Sequence, residues 1–115
     1  MYNLGLDLGT SFIKAALTEC SSGNVVNVVS QPSSEQKIKV FKDGWAEQDP
    51  EIWWKNTCLA IKNLISLTNI NPSLISRIGI SYQMHGLVLL DDNGNLIRDS
   101  IIWCDDRAVS VGKKA

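Results

Sequence analysis

Asn3-Leu4-Gly5-Leu6-Asp7-Leu8-Gly9-Thr10-Ser11 alternates strictly, and that alternation decides the fold. Leu4, Leu6 and Leu8 share one face of a strand, while Asn3, Gly5 and Asp7 share the other. Gly9-Thr10-Ser11 is then a turn, and Phe12 to Thr18 reads as a second strand with Ile13, Ala15 and Leu17 facing together. Ser21-Ser22-Gly23-Asn24 turns the chain again into Val25-Val26-Asn27-Val28-Val29, a β-branched third strand. Short consecutive strands joined by tight turns make an antiparallel meander.

Downstream, Lys37-Ile38-Lys39-Val40-Phe41 alternates like an edge strand with solvated lysines, and Asp43-Gly44 turns the chain into Trp45-Ala46-Glu47-Gln48. Asp49-Pro50-Glu51 starts a helix: Asp49 caps, Pro50 suits the first helical position and Glu51 complements the dipole. That helix should run to about Leu67, with Trp54, Cys58, Ile61 and Ile65 on its buried stripe. Asn71-Pro72 restarts a short helix or turn, and Arg77 to Ser81 is the next strand. Leu87 to Asp91 and Leu96-Ile97 flank an Asn93-Gly94 hairpin signal, and Ile101-Ile102-Trp103 is a last short strand. The pattern is β-β-β-α-β in a mixed α/β layer fold.

The 115 residues, 44% hydrophobic and 20% charged, suit one compact unit. Eleven basic against twelve acidic side chains leave a net charge of −1, which supplies neither a nucleic-acid footprint nor a polybasic membrane stripe. No apolar run approaches a membrane span, and residues 1–7 lack the pattern of a signal peptide, so a cytoplasmic chain is expected. Cys20, Cys58 and Cys104 form no C-x-x-C pair, and His85 is the only histidine, which argues against a disulfide framework or a zinc site. Val111-Gly112-Lys113-Lys114-Ala115 follows soon after the last motif, so a fragment of a longer protein is expected.

Three stretches could carry chemistry. A turn of Gly9, Thr10 and Ser11 can aim backbone N–H groups and hydroxyls at phosphate oxygens, with Lys14 close in sequence. Asp7 beside it could hold Mg²⁺ through water. The plain alternative is a hairpin that merely needs its glycine and a solvated aspartate. The second stretch, Gln83-Met84-His85-Gly86, follows a strand, and ligands of α/β folds favour the carboxyl ends of strands. Its amide and imidazole suit a polyhydroxylated ligand, against the alternative of a half-buried histidine and a core methionine. In the third, Trp103-Cys104-Asp105-Asp106-Arg107, Trp103 could wall a sugar's C–H face while Asp105 and Arg107 bond hydroxyls. The alternative there is a core tryptophan and an Asp–Arg surface pair. Trp45 sits in a loop, for packing or as a roof over a cleft.

Taken in order with Trp45-Ala46-Glu47-Gln48-Asp49-Pro50-Glu51-Ile52-Trp53-Trp54, these stretches resemble the N-terminal end of the FGGY carbohydrate kinases, most closely the xylulokinases. Leu6-Asp7-Leu8-Gly9-Thr10-Ser11 is shared by many actin-like ATPases. The W-x-E-Q-D-P-x-x-W-W run together with Q-M-H-G is far more selective. The resemblance implies two ribonuclease-H-like (actin-like ATPase) domains with ATP and sugar in the cleft between them, residues 1–115 forming the N-terminal part of the first. It implies phosphoryl transfer from ATP, with Mg²⁺, to the 5-hydroxyl of D-xylulose. Asp7 takes the auxiliary role beside metal and phosphates, with Gly9, Thr10, Ser11 and Lys14 near the phosphates. Met84 and His85 contact the sugar, joined by Gln83, Trp103, Asp105 and Arg107. The family's general-base aspartate and adenine pocket fall beyond residue 115, so the chain alone should be inactive.

Kinases of gluconate, glycerol, ribulose or fuculose are the nearest alternatives, followed by an actin-like assembly or sensor module. A ribonuclease-H-like nuclease needs clustered carboxylates and a positive track, which the near-neutral charge opposes. Partners expected are sugar and ATP, without nucleic acid or membrane, and a homodimer is the assembly allowed.

Overall fold

A computed structural model describes residues 1–114. The chain divides into two compact units rather than the single one its length suggests. The sheet unit comprises Met1–Gln36 and Ile52–Tyr82, and the loop unit comprises Lys37–Glu51 with the residues from Gln83 onward. The pairing within each unit is its own: a four-stranded sheet in the first and a two-stranded one in the second.

In the sheet unit, β1 (Tyr2–Leu8), β2 (Ile13–Glu19) and β3 (Val25–Gln31) form the expected meander. The later strand β5 (Ile75–Tyr82) lies parallel to β1, giving a mixed sheet in the order β3-β2-β1-β5. The helix α1 (Pro50–Thr68) is the crossover that a parallel pair requires. Leu4 and Leu6 of β1, Ala15 and Leu17 of β2, and Ala60 and Leu64 of α1 form the core cluster. Two-residue periodicity then leaves Gly5 and Asp7 on the opposite face, opposite Ala16 and Lys14 of β2 and opposite Gly79 and Ser81 of β5.

The start of α1 is as its sequence implies: the Glu51 N–H donates to Asp49 Oδ1 at 2.9 Å. At its end Asn69 takes a left-handed conformation, φ 51°, and its N–H donates to the Ile65 carbonyl. The buried stripe differs from expectation. Trp54 is 67% exposed, Cys58, Ile61 and Ile65 are only half-buried, and the inward line is Asn56, Thr57, Ala60 and Leu64. The large apolar residues therefore misplace the stripe by about one position. Small and polar residues fill most of that line instead, because their polar atoms find hydrogen-bond partners inside the unit. The Thr57 hydroxyl donates to the Trp53 carbonyl at 2.8 Å, and the Asn56 amide donates to Gln36.

The loop unit is poorer in regular structure than expected. The anticipated strand Lys37–Phe41 is one bridge, Lys39 to Glu47, and Glu47–Gln48 (β4) pairs antiparallel with Ser100–Ile101 (β6). The expected strand at residues 101–103 is thus shorter and shifted. Around Asn93-Gly94 the turn forms, with Gly94 at φ 82°, but its ladder shrinks to a bridge between Leu90 and Leu96. The Asp91 carboxylate accepts from the N–H groups of Asn93 and Asn95, so a side chain takes backbone donors that a longer hairpin would use. A helical turn, α2 (Val109–Gly112), was not anticipated. No helix of the described residues is long and apolar enough to cross a membrane.

The corrected stripe is testable. Leu64→Ala should lower unfolding free energy by about 2–5 kcal/mol, whereas Trp54→Ala should stay within about 0.5 kcal/mol, in urea titrations followed by circular dichroism.

Candidate functional site

The first group of expected residues lies in the sheet unit. Asp7 is exposed near the carboxyl end of β1, and with Gly5, Leu6, Lys14, Ala16 and Val28 it lines an open pocket of about 310 Å³. The floor is shallow because Gly5 and Ala16 put almost no side chain on this face. Sequence alternation had placed Asp7 here, and cross-strand pairing adds Lys14 as its direct neighbour. β1 then leaves the sheet through the Gly9 turn, where the Gly9 N–H donates to the Phe12 carbonyl at 3.0 Å. A Cβ on residue 9 would stand 2.8 Å from that carbonyl oxygen, closer than real Cβ atoms come, so the turn requires glycine. Thr10 and Ser11 complete it, both half-buried.

The second group lies in the loop unit. Met84 and His85 are exposed, which sets aside a core methionine and a half-buried histidine. His85 adopts φ 63°, a left-handed conformation uncommon outside glycine and costly enough that neighbouring structure must impose it. The loop is tied on both sides. Gln83 Nε2 donates to Gln48 Oε1 at 3.4 Å, and the Leu87 N–H donates to the Ile101 carbonyl at 2.9 Å. Gln48 is 2% exposed on β4, so the tie comes from a well-packed residue. Gln83, Met84, His85 and the exposed Trp103 line one open, mainly apolar pocket of about 290 Å³. An indole wall and a thioether with an imidazole and an amide at the edge suit a small polyol: apolar surface for C–H groups, donors and acceptors for hydroxyls.

Asp105 and Arg107, expected among the hydroxyl-binding residues, are not in that lining. The Asp105 carboxylate, 2% exposed, accepts from the Ala46 N–H at 2.7 Å, the Arg107 N–H at 3.0 Å, and Nε and Nη2 of the Arg107 guanidinium. Arg107 Nη2 also reaches Glu47 Oε1 at 2.7 Å, the same oxygen that Arg98 approaches. The guanidinium stacks on Trp45, its Cζ 3.8 Å from the ring centroid, with Lys42 Nζ 4.9 Å from that ring. Trp45 is thereby a packing residue, as one of its two sequence readings held. Next to it Gly44 has φ 75°, and a Cβ there would fall on the Asp106 carboxylate.

Hydrogen bonds from Arg107 hold the Asp105 carboxyl down to about 2. Burial works to raise the Glu47 carboxyl, but the hydrogen bonds from Arg107 and Arg98 outweigh it and leave it below the ordinary range. Sequence reasoning had singled out neither Glu47 nor Gln48, nor Arg98 or Gln36. Only the position of Glu47-Gln48 within the W-x-E-Q run marked the first two. Among the described residues, no group of three or more His, Cys, Asp or Glu is arranged to hold a metal ion by itself.

Comparison with known proteins agrees with this fold. The profile of the FGGY family of carbohydrate kinases, N-terminal domain, matches residues 2–114. A xylulose kinase from Staphylococcus epidermidis is 42% identical over 106 residues, which are 90% of this chain and 20% of that protein. Among solved structures, a xyloylose kinase from Brucella ovis superposes with TM-score 0.90 at 37% identity, over 99% of this chain and 23% of that one. A gluconate kinase from Lactobacillus acidophilus follows at TM-score 0.87 and 32% identity, over 99% of this chain and 22% of that one. The fold is the ribonuclease-H-like, actin-like ATPase class that the family resemblance implied. The chain belongs to the FGGY family of carbohydrate kinases. It spans about a fifth of the length of the relatives it matches.

Because the folded-state value of Asp105 is depressed to about 2, its contribution to stability is complete above the ordinary carboxylate range and is lost as pH falls from there toward 2. Urea midpoints of wild type and Asp105→Asn should therefore differ clearly at pH 7 and converge as pH approaches 2.

Proposed function

We propose that this chain is the N-terminal part of the first domain of an ATP-dependent sugar kinase, transferring the γ-phosphoryl of ATP to the 5-hydroxyl of D-xylulose. The observation that carries the reading is the pocket of Gln83, Met84, His85 and Trp103, built from the stretches whose combination marks the family. Likeness to xylulose kinases from several bacteria supports the choice of sugar. The gluconate kinase likeness favours gluconate as the second reading.

Phosphoryl transfer asks a protein for alignment and charge stabilisation more than for covalent chemistry. On the phosphate side, Lys14 supplies positive charge, the Gly9–Ser11 turn supplies close approach, and the Thr10 and Ser11 hydroxyls supply donors. Mg²⁺ fits here in its usual manner, since an exposed lone carboxylate over a shallow glycine-lined floor leaves room for the waters and phosphates that fill its other positions. Asp7 would hold it through water, and the metal would neutralise charge on the phosphates. On the sugar side, Trp103 and Met84 pack against C–H surface, while His85 and Gln83 orient hydroxyls. Asp105 and Arg107 serve the sugar by holding the segment after Trp103. No residue of this chain is assigned as the base that takes the hydroxyl proton or to the adenine pocket, and the activity proposed is that of the full-length protein. The reaction belongs to the cytoplasm, where ATP is available.

ADP release by the full-length protein, with MgATP and a panel of D-xylulose, L-ribulose, gluconate and glycerol, tests the reading. Preference for D-xylulose supports it, preference for gluconate moves it to the second reading, and no turnover rejects both. In that protein His85→Ala should raise the sugar KM about tenfold or more, and Asp7→Ala should cut kcat with any accepted sugar by about a hundredfold.

A further inference from the structure

Gln36 precedes the chain's excursion into the loop unit, is only 8% exposed, and carries a side chain that would ordinarily seek water. Its contacts explain the burial. Gln36 Nε2 donates to the Gly9 carbonyl at 3.2 Å and to the Thr10 carbonyl at 3.3 Å, and the Gln36 backbone N–H donates to the Ser11 carbonyl at 2.9 Å. One residue therefore occupies three successive carbonyls of the turn. The amide orientation follows from chemistry: carbonyls only accept, so the nitrogen must face them, and the oxygen must face a donor. That donor is Asn56 Nδ2 at 3.1 Å, from a residue itself buried on the inner line of α1. Asn56 and Gln36 thus form a chain of buried amides running from the helix to the turn, and a polar residue at a core position of α1 finds its reason.

We propose that Gln36 is a positioning residue for nucleotide phosphate, with Asn56 fixing the sense of its amide. This rests on the phosphoryl-transfer reading above and names how the phosphate turn is kept competent. A carbonyl oxygen facing a phosphate repels it, whereas a turn whose carbonyls are all tied to one buried side turns its remaining polar groups to the ligand without reorganisation. Gly9 allows the close turn, and Gln36 keeps the turn from rotating its peptide planes.

The test uses the full-length kinase and two variants. Gln36→Glu is nearly isosteric but sets a carboxylate oxygen against two carbonyls. Asn56→Ala leaves Gln36 in place and removes only the bond that orients it. Gln36→Glu should raise the KM for MgATP roughly tenfold, the net worth of the two hydrogen bonds lost, while leaving the sugar KM within about twofold. Asn56→Ala should shift the MgATP KM the same way, by about threefold. Were Gln36→Glu to misfold, Asn56→Ala decides on the same criterion. An unchanged MgATP KM, an equal rise for both substrates, or a fall in kcat alone would assign Gln36 a purely structural part and overturn the proposal. If the wild type turns over no sugar, the kinase reading fails separately. The same variants are then compared by calorimetric titration with MgADP, where tenfold weaker binding by Gln36→Glu sustains the proposal and equal binding ends it.

Discussion

The placement of β1 governs the rest of the molecule. Leu4 and Leu6 are sealed against Ala60 and Leu64 of α1, and period-two geometry then leaves Asp7 no choice but the open face. A register slip of one residue would drive Asp7 into the leucine layer, where no cation or donor cluster awaits it, at a desolvation cost far larger than any local gain. The Gly9 turn begins where that strand ends, and β5 stops in register with it, Leu8 opposite Tyr82. The Gly9 turn thus leaves the carboxyl end of a strand that has a parallel neighbour, the position at which sheets of this class carry ligands, and the Gln83 stretch follows β5 directly in sequence.

The loop unit is organised by charge more than by apolar burial. Glu47 receives two arginines, Asp105 receives one of them with two backbone N–H groups, and Trp45 lies under that guanidinium. A partnered set of this kind is costly to disrupt piecemeal, because removing one member leaves another buried charge uncompensated. It replaces the apolar core that so few strand residues cannot build, and it holds the β4–β6 pair from which Gln48 reaches Gln83.

Legibility in the sequence followed the strength of local signals. The meander, the capped start of α1 and the Asn-Gly turn were readable because alternation, Asp-Pro-Glu and Gly94 each act within a few residues. The buried line of α1 was not, since Asn56 and Thr57 are buried for hydrogen bonds rather than for hydrophobicity. Site residues divided the same way. Asp7, Gly9, Met84, His85 and Trp103 stood out by type and place, and Met84, His85 and Trp103 meet in one pocket. Asp105 and Arg107 had the right chemistry for hydroxyls, yet Arg107 uses it on Glu47, about 60 positions away, and Asp105 on Arg107 and the Ala46 N–H. Gln36 carried no signal at all, because its partners at residues 9–11 and 56 meet only in the folded chain.

Two ligands are assigned to two separate stretches, and hydrogen–deuterium exchange of the full-length protein with each ligand alone tests that assignment most directly. MgADP should slow exchange across residues 7–12 and leave 83–87 little changed, while D-xylulose should protect 83–87 and leave 7–12 little changed. Sugar protection falling on the Gly9 turn, or nucleotide protection falling on the Met84-His85 loop, would contradict it.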